Sequence, residues 1–295
     1  MKDATFLKSL IPPILLVGIQ FASSIIVSSW GTIYFLFANH FDSSNEFYKK
    51  LYDFSIDMSG SEWIFLMYAI VGIIAMSVWM RCLSKERRAS FKLKALSGWM
   101  VPVLVLMAAS FQIVTEYLQN FTIVILPEAG NKYIELMESA GLSGEVSAVM
   151  VLYACILGPI VEELCFRGLC FRFAREKLPF WIANVMQALM FGFFHMNLVQ
   201  GIYTFALGLL LGYLVEKTGN LLVPIVLHIL YNSVSGVLGI FPEDAVNNLI
   251  NMIYSNALTF GTTLLISMLL AYVSVLLFNK IVSSWKGQTI DKIIE

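Results

Sequence analysis

This 295-residue sequence is short of charge: only 13% of it is Asp, Glu, Lys or Arg, where soluble domains carry about 25%. So few charges cannot clothe a water-facing globule of this length, and lipid is the expected solvent for most of the chain. Cysteine is sparse as well. Cys82, Cys155, Cys165 and Cys170 form no paired pattern, and three of them share one apolar stretch, which excludes a secreted disulfide scaffold. With 19 Lys+Arg and a net charge of −1 there is no basic surface for nucleic acid, and none is expected as a partner. Aspartate is missing from every apolar segment, since Asp3, Asp42, Asp53, Asp57, Asp244 and Asp291 all lie in polar loops or tails. That excludes an intramembrane aspartyl protease, which needs two embedded aspartates, and thins the case for a carboxylate-relay pump. No solenoid-period repeat, low-complexity tract or Pro-rich linker is visible.

What is present is apolar: 58% hydrophobic residues and a mean hydropathy of +0.78. A membrane span needs about 20 mostly apolar residues. Eight segments qualify, at roughly 10–38, 62–81, 99–126, 146–168, 180–197, 201–215, 221–240 and 256–279. The first is too long for the h-region of a signal peptide and reads as an uncleaved span; the sixth is short. Sixteen of the 19 basic residues fall at Lys2 and Lys8, within 81–94, within 167–177, at Lys217 and at Lys280, Lys286 and Lys292. The alternate set of loops holds only Lys49, Lys50 and Lys132. By the positive-inside rule both termini and the 82–98 loop are cytoplasmic. Lys85, Glu86, Arg87 and Arg88 read as an anchor at the anionic inner leaflet. The 39–61 and 127–145 loops are acidic, external and suited to short amphipathic helices. The expected fold is therefore all-α: a polytopic integral protein of the plasma membrane, a single transmembrane domain over 1–295 with about eight transmembrane helices.

An ionisable residue inside a span is costly, and is a functional-site hypothesis by default. The spans hold Glu116, the pair Glu162 and Glu163, His195 and His228. Adjacent helical residues point about 100° apart, so Glu162 and Glu163 cannot face the same way. Glu163 and Arg167 are four apart with the acid first, the favourable order for an ion pair. Glu162 is left to face a cavity, where it can act as a general base. Pro159 should loosen the helix just before the pair, which membranes tolerate where a helix lines a cavity. The plainer reading has both glutamates snorkelling to water at the cytoplasmic edge. His228 and Asn232 lie one turn apart on one face. Imidazole can hold a water, donate to an oxyanion or ligate a metal, and Asn can donate to a developing oxyanion. Either histidine could also simply bond a neighbouring helix. Glu116, beside Gln112 and Thr115, suits an interhelical hydrogen bond or a cavity lining. His40 receives no role.

Glu162-Glu163-Leu164-Cys165-Phe166-Arg167, then Phe191-Gly192-Phe193-Phe194-His195, then His228-Ile229-Leu230-Tyr231-Asn232 fall in order on three separate spans. This pattern of EExxxR, FxxxH and HxxxN resembles the CPBP family of CAAX prenyl protease type 2 and bacteriocin-processing membrane endopeptidases, also called Abi. The resemblance covers roughly 146–240, a catalytic core. It implies peptide-bond hydrolysis within the bilayer, with membrane-embedded or lipid-anchored protein segments or peptides as substrate partners and lipid around them. Carried over, Glu162 resembles the general base that activates water and His195 helps to hold it. His228 and Asn232 resemble an oxyanion-stabilising pair, and Glu163 and Arg167 complete the first motif. The cofactor question stays open. Two His and one Glu could bind zinc, HExxH is absent, and a metal-free mechanism uses the same residues.

Three rivals stand beside this reading. Gly141-Leu142-Ser143-Gly144 matches a rhomboid-type GxSG but reads more simply as a turn. Cys165 could be a nucleophile, though an apolar neighbourhood suits a structural thiol better. A non-enzymatic immunity, regulatory or scaffold protein would keep the same fold without needing every motif residue. One difficulty follows from the span edges: straight helices put Glu162 and His195 on the order of 10–15 Å apart in depth.

Overall fold

A computed structural model describes residues 4–39, 44–59, 61–83, 96–140, 146–238, 253 and 255–294. Every regular element among them is a helix: α1 (Ala4–Ala38), α2 (Ser44–Ser59), α3 (Glu62–Cys82), α4 (Met100–Ile125), α5 (Pro127–Ser139), α6 (Ala148–Arg175), α7 (Phe180–Phe194), α8 (Leu198–Thr218), α9 (Leu222–Leu238) and α10 (Ala257–Ile294). Six of these, α1, α3, α4, α6, α8 and α10, are long and apolar enough to cross a membrane, and α7 and α9 are shorter apolar helices. These eight match the eight apolar segments of the sequence, and the chain is an all-α, multi-pass membrane protein. Its flanks are lipid-like in character, with Trp30, Phe37, Phe193 and Leu258 each more than 70% exposed; a water-facing protein would not present such a surface.

The acidic loops hold α2 and α5, both amphipathic rather than apolar. The GxSG-like run 141–144, His40 and the basic run 85–88 lie outside the described residues. Two edges differ from the sequence reading. The sixth segment is not short, since α8 runs 21 residues. The fourth does not stop at 168, since α6 continues to Arg175. Arg172 and Arg175 end the apolar window, yet the helix goes on: Arg172 is buried, and Arg175 makes a two-pronged bond to Glu216 at 2.7 and 3.0 Å, tying α6 to α8.

α6 is not uniform. Its start is capped by Ser147, whose hydroxyl accepts from the Met150 amide and donates to the Glu62 carboxylate at the start of α3. Two wide π-turns interrupt it, at Tyr153–Leu157 and Phe166–Cys170, on either side of the two glutamates. Such bulges often mark functional segments of a helix. In the first, the Gly158 amide bonds back to the Tyr153 carbonyl, five residues away. The next carbonyl, Ala154, would by that register take the N–H of residue 159, which is Pro159 and has none. Pro159 therefore leaves the Ala154 carbonyl, about two turns before Glu162, without a helical donor.

Close packing sets the other helices. α7 and α8 form a tight hairpin whose backbones nearly touch: a Cβ on Gly192 would sit 2.6 Å from the Gly201 carbonyl oxygen. The turn between them carries Met196 at φ 51, a left-handed conformation that costs a non-glycine residue about 1–2 kcal/mol. It directly follows His195.

Candidate active site

Glu162, His195, His228 and Asn232 line one cavity of about 450 Å³, together with Tyr68, Tyr153 and a polar face of α4. The depth difficulty disappears with the corrected edge of α6. From the turn at 176–179, Glu162 lies 13 residues up α6 and His195 15 residues beyond the start of α7. At 1.5 Å per residue these are about 20 and 22 Å, the same level.

Glu163 points the other way, fully buried. Its Oε1 accepts from Arg167 Nη1 at 2.7 Å and from His228 Nδ1 at 2.9 Å. Arg167, also fully buried, donates from Nη2 to the Gly208 carbonyl at 3.3 Å and lies 4.5 Å from the Phe191 ring centroid. A buried ion pair survives only when its remaining valences are met; here a carbonyl, an imidazole and an aromatic face meet part of them, while Glu163 Oε2 and Arg167 Nε have no hydrogen-bond partner among the described residues. The second half of the EExxxR motif thus holds His228 from behind. Since the carboxylate accepts, His228 Nδ1 carries the hydrogen, and Nε2 faces Glu162 Oε2 at 3.8 Å. Nε2 then carries a hydrogen only when the ring is protonated.

His195 is oriented by the same logic. Its Nδ1–H donates to the Phe191 carbonyl at 2.8 Å, which leaves the Nε2 lone pair available to a water. Phe191 is the hub of the site. Its ring stands edge-on to His195 at 5.0 Å, to His228 at 5.8 Å and to Phe166 at 5.1 Å, arrangements that add about 0.5–1.5 kcal/mol each for aromatic pairs. The first residue of FxxxH therefore supplies both a carbonyl for its own histidine and a wall for the other.

Asn232 also lines the cavity, and its amide Nδ2 donates to the Ala154 carbonyl at 2.8 Å, the acceptor orphaned by Pro159. Cys155 Sγ–H points to the Asn232 carbonyl at 3.7 Å, so two contacts pin α9 to the π-turn. Cys165 is fully buried and absent from the cavity lining. Two residues were not legible as site candidates. Tyr68 of α3 and Tyr153 of α6 both border the Glu162 pocket, but each is one tyrosine among 12, with no motif around it.

A catalytic zinc needs three protein ligands at about 2.0–2.3 Å and an open position. No group of three His, Cys, Asp or Glu side chains among the described residues is gathered for a metal. The Nδ1 of each histidine is engaged by a carbonyl or by Glu163, as is common in ligating histidines, so the Nε2 atoms of His195 and His228 and the Glu162 carboxylate are the groups that would hold a metal at this cavity.

Residues 144–234 match the family model Rce1-like, described as type II CAAX prenyl endopeptidase Rce1-like. All three motifs fall inside that match. Residues 144–234 are thus similar to that family, in line with the resemblance the three motifs carry. The chain is also similar to a Bacillus subtilis (strain 168) protein named "Putative membrane peptidase YdiL", 32% identical over 85 residues. Those residues are 29% of this chain and 35% of that relative, so the likeness spans about a third of the relative's length. No solved structure matches. The helices outside the matched segment, α1 to α5 and α10, nevertheless supply Tyr68 and the α4 face of the same cavity.

Proposed function

We propose that this chain is an intramembrane endopeptidase that hydrolyses peptide bonds in membrane-associated or lipid-anchored segments. The observation that carries the reading is that Glu162, His195 and His228 share one cavity, with His228 Nε2 3.8 Å from Glu162 Oε2. Amide hydrolysis needs an activated water, stabilisation of the tetrahedral oxygen and a proton for the leaving amine. Glu162 takes the proton from a water that also bonds His195 Nε2. The water oxygen attacks the scissile carbonyl, and the C–N bond breaks as the proton passes to the amine. His228, held by Glu163, donates from Nε2 in its protonated form to the developing oxyanion. Tyr68, whose hydroxyl is buried beside the same cavity, is a second donor of suitable chemistry. Asn232 is a positioning residue: its amide holds the π-turn that aims Glu162. The expected setting is the plasma membrane, in peptide maturation, CAAX-type processing or bacteriocin self-immunity.

The test is peptidomics of membranes and medium from cells carrying the native chain, a Glu162→Gln chain or none, at matched expression. Cleavage products should vanish in the last two alike. If Glu162→Gln restores the native peptide pattern, the hydrolase reading fails, and an immunity, regulatory or scaffold role by binding takes its place.

A further inference from the structure

Beyond the glutamate and histidines, the same cavity has a second, polar set of lining residues. α4 presents Gln112, Thr115, Glu116 and Gln119 on one face, at the i, i+3, i+4, i+7 spacing of a helical stripe. Thr115 Oγ1 and Tyr231 Oη are hydrogen-bonded at 2.6 Å, and Tyr133 of α5 donates to Gln119 Oε1 at 3.4 Å. Glu116 is accessible rather than buried. Asn120 donates to it from its own helix at 3.3 Å, and no Lys or Arg among the described residues lies within ion-pair distance of it.

Charge in the cavity is one-sided. Its carboxylates are Glu116 and Glu162, while no Lys or Arg appears in its described lining; Arg167 is turned away and neutralised by Glu163. The field of Glu116 reaches its neighbours: burial first, and then this negative charge, push the Tyr133 phenol above its usual value. A second, independent observation also points to a ligand. Tyr68 is 2% exposed and lines the same cavity, and its hydroxyl has no hydrogen-bond partner among the described residues. A peptide carbonyl entering the cavity would satisfy that donor, and a cation would satisfy Glu116.

We propose that Glu116 forms a subsite for a Lys or Arg side chain, so that the segments bound in this cavity are internal, basic stretches of membrane-anchored peptide. The proposal rests on the endopeptidase reading for the fate of the peptide, and adds its charge. A free C-terminal carboxylate beside Glu116 meets like charge.

The test uses the full chain in nanodiscs and a set of lipid-anchored peptides of one sequence, capped as the amide, in which a single Lys or Glu is moved through each position. Binding is measured with the Glu162→Gln chain, with or without Glu116→Gln or Glu116→Lys, and cleavage with the native Glu162. At one or two positions, Lys peptides should bind at least tenfold tighter than their Glu counterparts. Glu116→Gln should cut that ratio towards one, and Glu116→Lys should invert it. An uncapped carboxyl terminus should weaken binding. A Lys:Glu ratio that Glu116→Gln leaves unchanged, or that is near one at every position, overturns the subsite. If the ratio behaves as stated but no peptide is cleaved by the native chain, the subsite stands and the hydrolase reading falls.

Discussion

Asn232 Nδ2 donates to the Ala154 carbonyl at 2.8 Å across the interface of α9 and α6. That bond links the HxxxN motif to the backbone directly ahead of the EExxxR motif. The reason lies in the π-turn and in Pro159, which together leave Ala154 without a helical donor. Replacing Asn232 with Ala should therefore lower stability by about 1–3 kcal/mol, the cost of an unsatisfied buried acceptor, and should slow any reaction that depends on Glu162. Pro159→Ala returns an N–H that can serve Ala154. In that background Asn232→Ala should cost clearly less, and a double-mutant cycle on thermal unfolding in detergent reads the difference. Strict additivity would contradict the link.

The Arg167–Glu163–His228 chain makes a second prediction. Both ends of the ion pair are fully buried, so removing one partner strands a charge. Arg167→Met alone should destabilise by about 3–5 kcal/mol. Arg167→Met with Glu163→Gln should recover part of that stability while still losing activity, because His228 Nδ1 no longer meets a carboxylate. Unfolding and cleavage measured on the same preparations separate the two effects.

Gly192 offers a steric test of the FxxxH motif. A Cβ there would meet the Gly201 carbonyl at 2.6 Å, and backbone cannot yield as a flexible side chain would. Gly192→Ala should cost about 1–3 kcal/mol through overpacking and move the turn that carries His195. The exposed neighbour Phe193 gives the control: Phe193→Leu should be near neutral in unfolding midpoint.

Sidedness is testable with thiols. The cavity is lined by α5 and by the α7–α8 turn, at the end of the bundle that the basic residues avoid. In intact cells, Met137→Cys should react with a membrane-impermeant maleimide, while native Cys82, exposed at the opposite end of α3, should react only after permeabilisation. The reverse pattern would invert the orientation.

Much of this was legible from residue order. The eight apolar segments appear as eight helices, because the lipid requirement leaves no alternative to helix for such runs. The Glu163–Arg167 pair follows from i, i+4 spacing alone. The level of Glu162 relative to His195 did not follow, because Arg172 and Arg175 end the hydropathy window while the helix continues to Arg175. The bond from Asn232 to Ala154 was out of reach because it depends on a π-turn, and no hydrophobic period reports one. Tyr68 was invisible for another reason: its importance comes from what surrounds it on other helices.

The central claim is that Glu162 activates the attacking water. Its most direct test is single-turnover cleavage by purified native and Glu162→Gln proteins in nanodiscs, on a substrate found in cells, with unfolding midpoints confirmed to agree. Loss of a general base typically costs about 10²–10⁴-fold, so the rate for Glu162→Gln should fall by at least a hundredfold while peptide binding persists. A Glu162→Gln protein that cleaves within a few-fold of native would contradict the account.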